Sequence, residues 1–360
     1  MILINNNNSF EVINYIKNYC IDSNLENLLQ VTKKKIDTCK YWDYNKKKFN
    51  IYEYIYTSSN KNLNISNIQP ISRSFFKLIE ILYESQLIKN NNSYCCIAEG
   101  PGGFLQCLKY YFKENKIDFN KIYGISLLSI DKSIPHWNNH IITDKDIQIL
   151  KGEDNTGDIY KLININNFIK AIGGNVIEFI TSDGGIDYSK DYNNQELLSY
   201  KLLYSEIYLT LNIQKNNGNC IIKFFDILYI KTIQLLYILY LSYDEIIIYK
   251  PSMSRITNSE KYIICKGYCK NIEIIETLLY YWNNPENLSI NISKPFLEDI
   301  RKYNIKTIDQ QIVNINKIIN SNNNNKIMPT TEQIKIGYKW CQKYNIPINT
   351  NNNYLKQVSI

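Results

Sequence analysis

The chain is poor in arginine, alanine and histidine, and each shortage limits what it can be. In 360 residues, arginine occurs only at Arg73, Arg255 and Arg301, alanine only at Ala98 and Ala171, and histidine only at His136 and His140. The two histidines have helical metal spacing, but Pro135 precedes them and no third ligand is evident, so no metal site is expected. Glycine is also scarce at 13, and Gly337 is the only one outside residues 100–267, so tight turns are concentrated in one segment. Long apolar runs are missing. Ile227 to Tyr249 is the most apolar stretch, yet Lys231, Gln234, Asp244 and Glu245 break it, so it reads as a buried helix followed by a strand and not as a membrane span. The start, Met1-Ile2-Leu3-Ile4 followed by four asparagines, has neither the charged region nor the long apolar core of a secretory signal. The nine cysteines include Cys95-Cys96 and Cys265/Cys269 but no paired CxxC spacing, which favours reduced, buried thiols in an intracellular protein.

What is abundant is Asn, Ile, Lys and Tyr, with 31 tyrosines, the pattern of an A/T-rich coding sequence. Hydrophobic residues at 44% and charged residues at 21% are ordinary globular values. Where lysine replaces arginine almost everywhere, a retained arginine suggests a task for a planar fork, on phosphate or carboxylate. The net charge of +7 is compatible with a polyanionic partner but weak as evidence, because such a composition gains lysine anyway.

Short β-branched and aromatic runs alternate with helical patterns in the glycine-bearing segment. Strands are expected at Tyr94–Ala98, Lys121–Ser126, Val176–Ser182, Asn219–Phe224, Asp244–Tyr249 and Lys261–Cys265. Helices are expected at Phe104–Phe112, Ile159–Lys170, Asn194–Gln214 and Leu228–Tyr240. This alternation implies an α/β fold with a mostly parallel sheet, in which the final strand, reached without room for a helix, runs antiparallel. Residues 1–65 read as a mainly helical N-terminal extension, 66–270 as the central domain, and 271–360 as a helical, Asn-rich C-terminal extension. The runs Asn322–Asn325 and Asn351–Asn353 read as loops or disorder.

Ala98-Glu99-Gly100-Pro101-Gly102-Gly103-Phe104 follows a strand and opens a helix, where glycines let backbone approach a ligand and free N–H groups face it. It is not GxGxxG, and no acidic residue ends the next strand, so a dinucleotide is a poor fit. Asp158 is either a helix cap or a nucleoside contact. Asp183, in Thr-Ser-Asp-Gly-Gly, and Lys223, in Cys-Ile-Ile-Lys, both fall at strand ends, at the sheet edge where ligands bind in open α/β folds. Glu260 begins the final strand, and Lys77 lies on a helix starting near Ser72–Ser74, where a solvated face is the default reading.

These strings, together with Ser72-Arg73-Ser74-Phe75-Phe76-Lys77, Asn194-Gln195-Glu196 and above all Lys250 to Gly267, resemble the FtsJ-like ribose 2′-O-methyltransferases. The resemblance covers Ser72 to Tyr268 and looks closest to the branch that methylates the first transcribed nucleotide of capped mRNA. It implies a Rossmann-like class I sheet binding S-adenosyl-L-methionine, with Ala98, Glu99, Gly100, Pro101, Gly102, Gly103 and Phe104 on the methionine and ribose part, Asp158 and Ile159 on the adenine side, and Asp183 facing the sulfonium. It places a catalytic tetrad on Lys77, Asp183, Lys223 and Glu260. It also implies RNA contacts at Ser72, Arg73, Asn193, Asn194, Gln195, Arg255 and Asn258, although the chain departs from the family at Ser72 and between Asp183 and Asn193. Lys223 as general base would need a pKa well below the ordinary ~10.4 of lysine; Lys77 pushes it down and the two carboxylates push it up, so base and steering roles both stay open. The implied partners are capped mRNA or other RNA and the capping or transcription machinery, with no membrane. With the A/T-rich composition, a large DNA virus is a plausible owner, acting in host cytoplasm or virion. The alternatives are the same chemistry on ribosomal or transfer RNA, and a catalytically silent RNA-binding subunit.

Overall fold

The computed structural model describes residues 2–4, 12–13, 19–131, 134–188, 191–321 and 328–355. Ten strands are present among them: β1 (Ile2–Ile4), β2 (Val12–Ile13), β3 (Asn92–Ile97), β4 (Phe119–Ile125), β5 (Ile147–Ile149), β6 (Ile177–Ser182), β7 (Gln214–Phe224), β8 (Tyr243–Tyr249), β9 (Lys261–Tyr268) and β10 (Ile292–Ser293). The helices are α1 (Ser23–Asp37), α2 (Trp42–Phe49), α3 (Ser74–Ser85), α4 (Gly103–Asn115), α5 (Asn139–Ile142), α6 (Leu162–Ile172), α7 (Gln195–Ile213), α8 (Ile230–Ser242), α9 (Ile272–Tyr280), α10 (Lys294–Ile319) and α11 (Thr331–Lys343).

Eight strands form one sheet in the order β1-β8-β9-β7-β6-β3-β4-β5. The run from β7 through β6, β3 and β4 to β5 is parallel, whereas β9 is antiparallel to both β7 and β8. The chain moves outward from β3 through β4 to β5, then returns to place β6 on the other side of β3. That reversal makes a crevice at the carboxyl ends of β3 and β6, the ligand position of open α/β sheets. The central position of β6 explains its composition: all six residues of Ile-Glu-Phe-Ile-Thr-Ser are buried, as a parallel strand covered on both faces requires. Helix α7 is likewise buried on nearly every side, because it lies between the sheet and its neighbours α6, α8 and α9.

The expected strands and helices all form, and the α/β fold with an antiparallel final strand is as read from the alternation. Strand β7 begins earlier than expected: Gln214 already pairs with Ile177, and the polar Lys215–Gly218 stretch between it and Asn219 is a register irregularity that reads as a loop in sequence. Two strands of the main sheet escaped the pattern, as did the separate pair of two-residue strands β2 and β10. β5 is three residues long, and β1 attaches the N-terminal segment to the edge of the main sheet, pairing Ile2 with Ile248.

The terminal segments pack on each other as well as on the centre. Helix α1 packs along α10, α2 also meets α10, and α11 packs on the turn Glu53–Ile55. Gly337 of α11 lies flush against Ile65, leaving no room for a Cβ. Asn351–Asn353 forms an ordered turn in which buried Asn352 accepts hydrogen bonds from the Tyr354 and Leu355 amides. Asn322–Asn325 lies outside the described residues. No helix among the described residues is long and apolar enough to cross a membrane.

Candidate active site

Strand register brings the distant charged residues together. Ser182 pairs with Ile222 and Lys223 pairs with Tyr262, so Asp183, Lys223 and the start of β9 lie level across three adjacent strands. Because β9 is antiparallel, its first residues share the sheet edge formed by the ends of β6 and β7, and Glu260 arrives there just before the strand begins. Helix α3 supplies Lys77 opposite it.

The four side chains form two ion pairs. Lys77 Nζ lies 2.7 Å from Glu260 Oε1, and Lys223 Nζ lies 3.2 Å from Asp183 Oδ1 while donating to the Asp183 carbonyl at 2.7 Å. The buried Tyr262 hydroxyl donates to Asp183 Oδ1 at 2.8 Å, and the Ser254 hydroxyl donates to Glu260 at 3.1 Å. Burial alone would lower the pKa of Lys223, but Asp183, Glu260 and Glu206 outweigh it and raise the ammonium above its ordinary value. Burial opposes ionisation of Glu260 too, yet Lys77 and Lys223 hold its carboxyl down at about 2. Lys223 and Glu260 therefore stay charged at neutral pH, each beside an opposite partner in a poorly solvated site.

The loop after β3 adjoins this cluster. Ala98 has φ +53° and Gly102 φ +114°, so the chain turns sharply between β3 and α4. A Cβ on Gly184 would come within 3.1 Å of Ala98 Cβ, which shows how closely the Asp183-Gly184 loop and this turn approach. Glu99 points inward: its carboxylate accepts from the Phe104 amide at 2.6 Å and the Leu105 amide at 3.4 Å, capping α4. Burial raises its pKa well above the ordinary carboxyl value. At the end of β4, the Gly152–Asp158 turn docks through Leu128 N to Thr156 O, 2.7 Å. Asp158 accepts from the Tyr160 amide at 2.9 Å, a local turn cap ahead of α6, and Ile159 beside it is buried.

A family model described as FtsJ-like methyltransferase matches residues 70–268, more than half of the chain. The chain belongs to that family. Among curated relatives, it is 29% identical over 204 residues to a cap-specific mRNA (nucleoside-2′-O-)-methyltransferase of Autographa californica nuclear polyhedrosis virus, covering 55% of this chain and 75% of that protein. It is 25% identical over 248 residues to a Leishmania braziliensis protein named cap-specific mRNA (nucleoside-2′-O-)-methyltransferase 1, covering 62% and 60%. The corresponding mouse protein matches at 32% over 136 residues, 37% of this chain and 16% of its own length. A solved structure described as a ribosomal RNA methyltransferase from Plasmodium falciparum superposes with a TM-score of 0.43 at 21% identity, over 56% of this chain and 99% of that one.

In this FtsJ-like methyltransferase the other sequence-predicted residues are gathered only in part. Asn193, Gln195, Arg255 and Asn258 line one cleft of about 700 Å³, whose lining also includes Trp42 and Lys46 of α2. Arg255 also joins Arg73 at the buried carboxylate of Glu53, each at 3.7 Å, and Arg73 donates to the Tyr56 carbonyl at 2.6 Å. Ser72 packs beside Ser74 against Gly103, and Asn194 donates to Asp191 at 2.6 Å. His136 lies in the segment before α5 and only His140 is in that helix, so the two do not share a helical face. Among the described residues, no group of three or more His, Cys, Asp or Glu is placed to hold a metal ion.

Sequence reading missed the supports. Glu80, one turn along α3 from Lys77, accepts from Tyr249 OH (2.8 Å), Ser252 N (2.7 Å) and Trp340 Nε1 (3.1 Å). It thereby ties α3 and α11 to the loop that carries Glu260. Lys250 braces the same loop with bonds to Asn258 and to the Glu260 carbonyl. Glu206 of α7, 2% exposed, accepts from Gly184 N at 3.1 Å, and burial pushes its carboxyl up to about 8. A charged residue inside an apolar helix pattern was the available signal for Glu80 and Glu206.

Proposed function

We propose that this protein transfers a methyl group from S-adenosyl-L-methionine to the ribose 2′-hydroxyl of RNA, with the first transcribed nucleotide of capped mRNA as its target. The observation that carries this reading is the gathering of Lys77, Asp183, Lys223 and Glu260 at one sheet edge, beside the Ala98–Phe104 turn on one side and the Asn193–Asn258 cleft on the other. The names of the viral, protozoan and mammalian relatives support the cap-specific substrate.

The residues fit the methyl donor. Asp183 sets a carboxylate next to the turn after β3, suited to a cationic sulfur, while Ala98–Phe104 offers backbone and Asp158 with Ile159 a polar and an apolar contact for the adenosine. When bound, S-adenosylmethionine supplies a methyl group on a positively charged sulfur, which is taken by in-line attack. Alignment of hydroxyl and donor contributes roughly 7–11 kcal/mol in well-oriented systems. Lys223, held as an ammonium by its acidic neighbours, orients the hydroxyl so that an oxygen lone pair faces the methyl group. As the new O–C bond forms, the hydroxyl proton passes to solvent water and Lys223 stabilises the charge on the oxygen. That favours steering over the general-base role. Lys77 and Glu260 fix the second pair and keep the site near neutrality. Asn193, Asn194, Gln195, Arg255 and Asn258 guide the RNA strand, with Ser72 and Arg73 as the remaining family-implied contacts.

The test is methyl transfer from labelled donor to short RNAs with and without an N7-methylated guanosine cap, followed by nuclease mapping. Cap-dependent label on the 2′-oxygen of the first nucleotide supports the proposal. Equal labelling of uncapped structured RNA moves the substrate to ribosomal or transfer RNA. Binding of donor and RNA without transfer indicates a silent subunit.

A further inference from the structure

We propose that Trp42, in the N-terminal segment outside the matched FtsJ-like region, is a stacking platform for an RNA base, making the terminal helices one wall of the substrate cleft. The inference rests on the RNA reading above. Trp42 is half-buried and opens α2, and the cleft it lines is shared with Gln195, Arg255 and Asn258, two to five residues from Glu260 in the case of the last two. A volume of about 700 Å³ is in the range of sites that enclose a small organic ligand.

The charges of the cleft point to a base rather than a phosphate at this wall. Lys33 pairs with Asp226 at 3.0 Å, Lys46 pairs with Asp43, and Arg255 approaches Glu53. Its cations are thus engaged by carboxylates, and Asp37 and Asp191 add further negative charge to the lining. A phosphate gains little there. An aromatic face stacks a base whatever its identity, and neighbouring carboxylates accept its ring or exocyclic N–H groups.

The wall is also held in place before RNA arrives. Asn45 of α2 donates to the Ser321 carbonyl at 3.0 Å, Lys317 lies 5.5 Å from the centre of the Phe49 ring, and Gln311 of α10 donates to the Thr257 carbonyl at 2.8 Å. These contacts connect α2, α10 and the loop before Glu260, so the platform and the reacting edge keep one geometry. Little ordering is then left for binding to offset.

The base comes either from the transcript or from the cap guanine, and the test separates them. Intrinsic tryptophan fluorescence of the full-length protein is titrated with uncapped RNA, RNA capped with unmethylated guanosine and RNA with an N7-methylated cap, using wild type, Trp42→Phe and Trp42→Ala. Trp137 and Trp340 are buried, and Trp282 packs on Tyr208, so quenching by a stacked base reports on Trp42. The expected result is quenching in wild type that is mostly lost in Trp42→Phe with affinity retained, and binding about tenfold weaker in Trp42→Ala, in line with ~1–3 kcal/mol for one stacked base. Weakening confined to capped RNAs identifies the cap guanine; weakening on every RNA identifies a transcript base. Full quenching in Trp42→Phe, or wild-type affinity in Trp42→Ala, overturns the proposal. Absence of methyl transfer with Trp42-dependent quenching intact would refute the enzymatic reading while leaving the stacking platform standing.

Discussion

Lys77 and Glu260 are separated by 183 positions in the chain and by 2.7 Å in space. The contact exists because β9 is antiparallel and delivers its first residues to the edge where its parallel neighbours end. Both groups are largely buried, so each compensates a charge that would otherwise be stranded, and breaking such a pair costs about 3–5 kcal/mol. Glu260→Gln is expected to lower the melting temperature and to reduce methyl transfer by about 100-fold or more, the scale of losing one preorganised electrostatic partner. Calorimetry and single-turnover kinetics check the two effects separately.

The same carboxylate sets an acid limit. Its folded pKa, about 2, lies below the ordinary 4.5, so its stabilisation is complete above about pH 4.5 and disappears as pH falls toward 2. Denaturation midpoints measured between pH 2 and 6 should fall steeply at the acid end in wild type and more gently in Glu260→Gln.

Glu206 has the opposite sign. Its carboxyl is raised from 4.5 to about 8, so the stability it lends as a neutral acid is present below about pH 4.5 and is lost as pH rises through 8. Glu206→Gln keeps the acceptor for Gly184 N without the ionisation. Thermal unfolding at pH 5 and pH 8.5 should show a smaller decline in the variant, with transfer near pH 7 close to wild type; an unchanged decline would place the titration elsewhere.

Much of this architecture is legible in the chain, and the exceptions share a cause. Alternating strands and helices were enough to expect an α/β sheet, and Lys77 and Glu260 joined its site only through the resemblance to the FtsJ-like enzymes. Strand ends were enough to set Asp183 and Lys223 at the sheet edge, because strand order places strand ends side by side. The roles of Glu80, Glu206 and Trp340 were hidden for the same reason in reverse, even though a charge inside an apolar helix marks the two glutamates. Each acts through partners contributed by other elements, and nothing in a local pattern says that Trp340 meets Glu80 across 260 positions. Arg73 and Arg255 stood out as retained arginines, but the carboxylate they share, Glu53, sits in a segment with no local mark of its role.

Glu80 links the C-terminal segment to the candidate active site. Trp340→Phe removes one of its three donors and should cost about 1–2 kcal/mol of stability. Glu80→Gln, which keeps the volume but not the charge, should cost more and should lower transfer as well, since the Ser252 amide and the loop before Glu260 lose their anchor. Chemical denaturation beside a transfer assay tests this. Full activity in a clearly destabilised Glu80→Gln protein would separate the anchor from catalysis.

The Gly152–Asp158 turn offers a separate handle on donor binding. Gly157 has φ +66°, and a Cβ there would overlap the Ser126 carbonyl oxygen, which is backbone and cannot yield cheaply. Gly157→Ala should displace Asp158 and Ile159 and weaken donor affinity at least tenfold in calorimetric titration, with RNA binding little changed.

The most direct measurement compares wild type with Lys223→Ala in methyl transfer to N7-methyl-capped RNA, with donor and RNA affinities measured independently. The account predicts a loss of transfer of at least about 100-fold with both affinities largely retained, because the proposal sets Lys223 on the reacting oxygen and not on the grip of either substrate. Transfer at a near-wild-type rate in Lys223→Ala would contradict it.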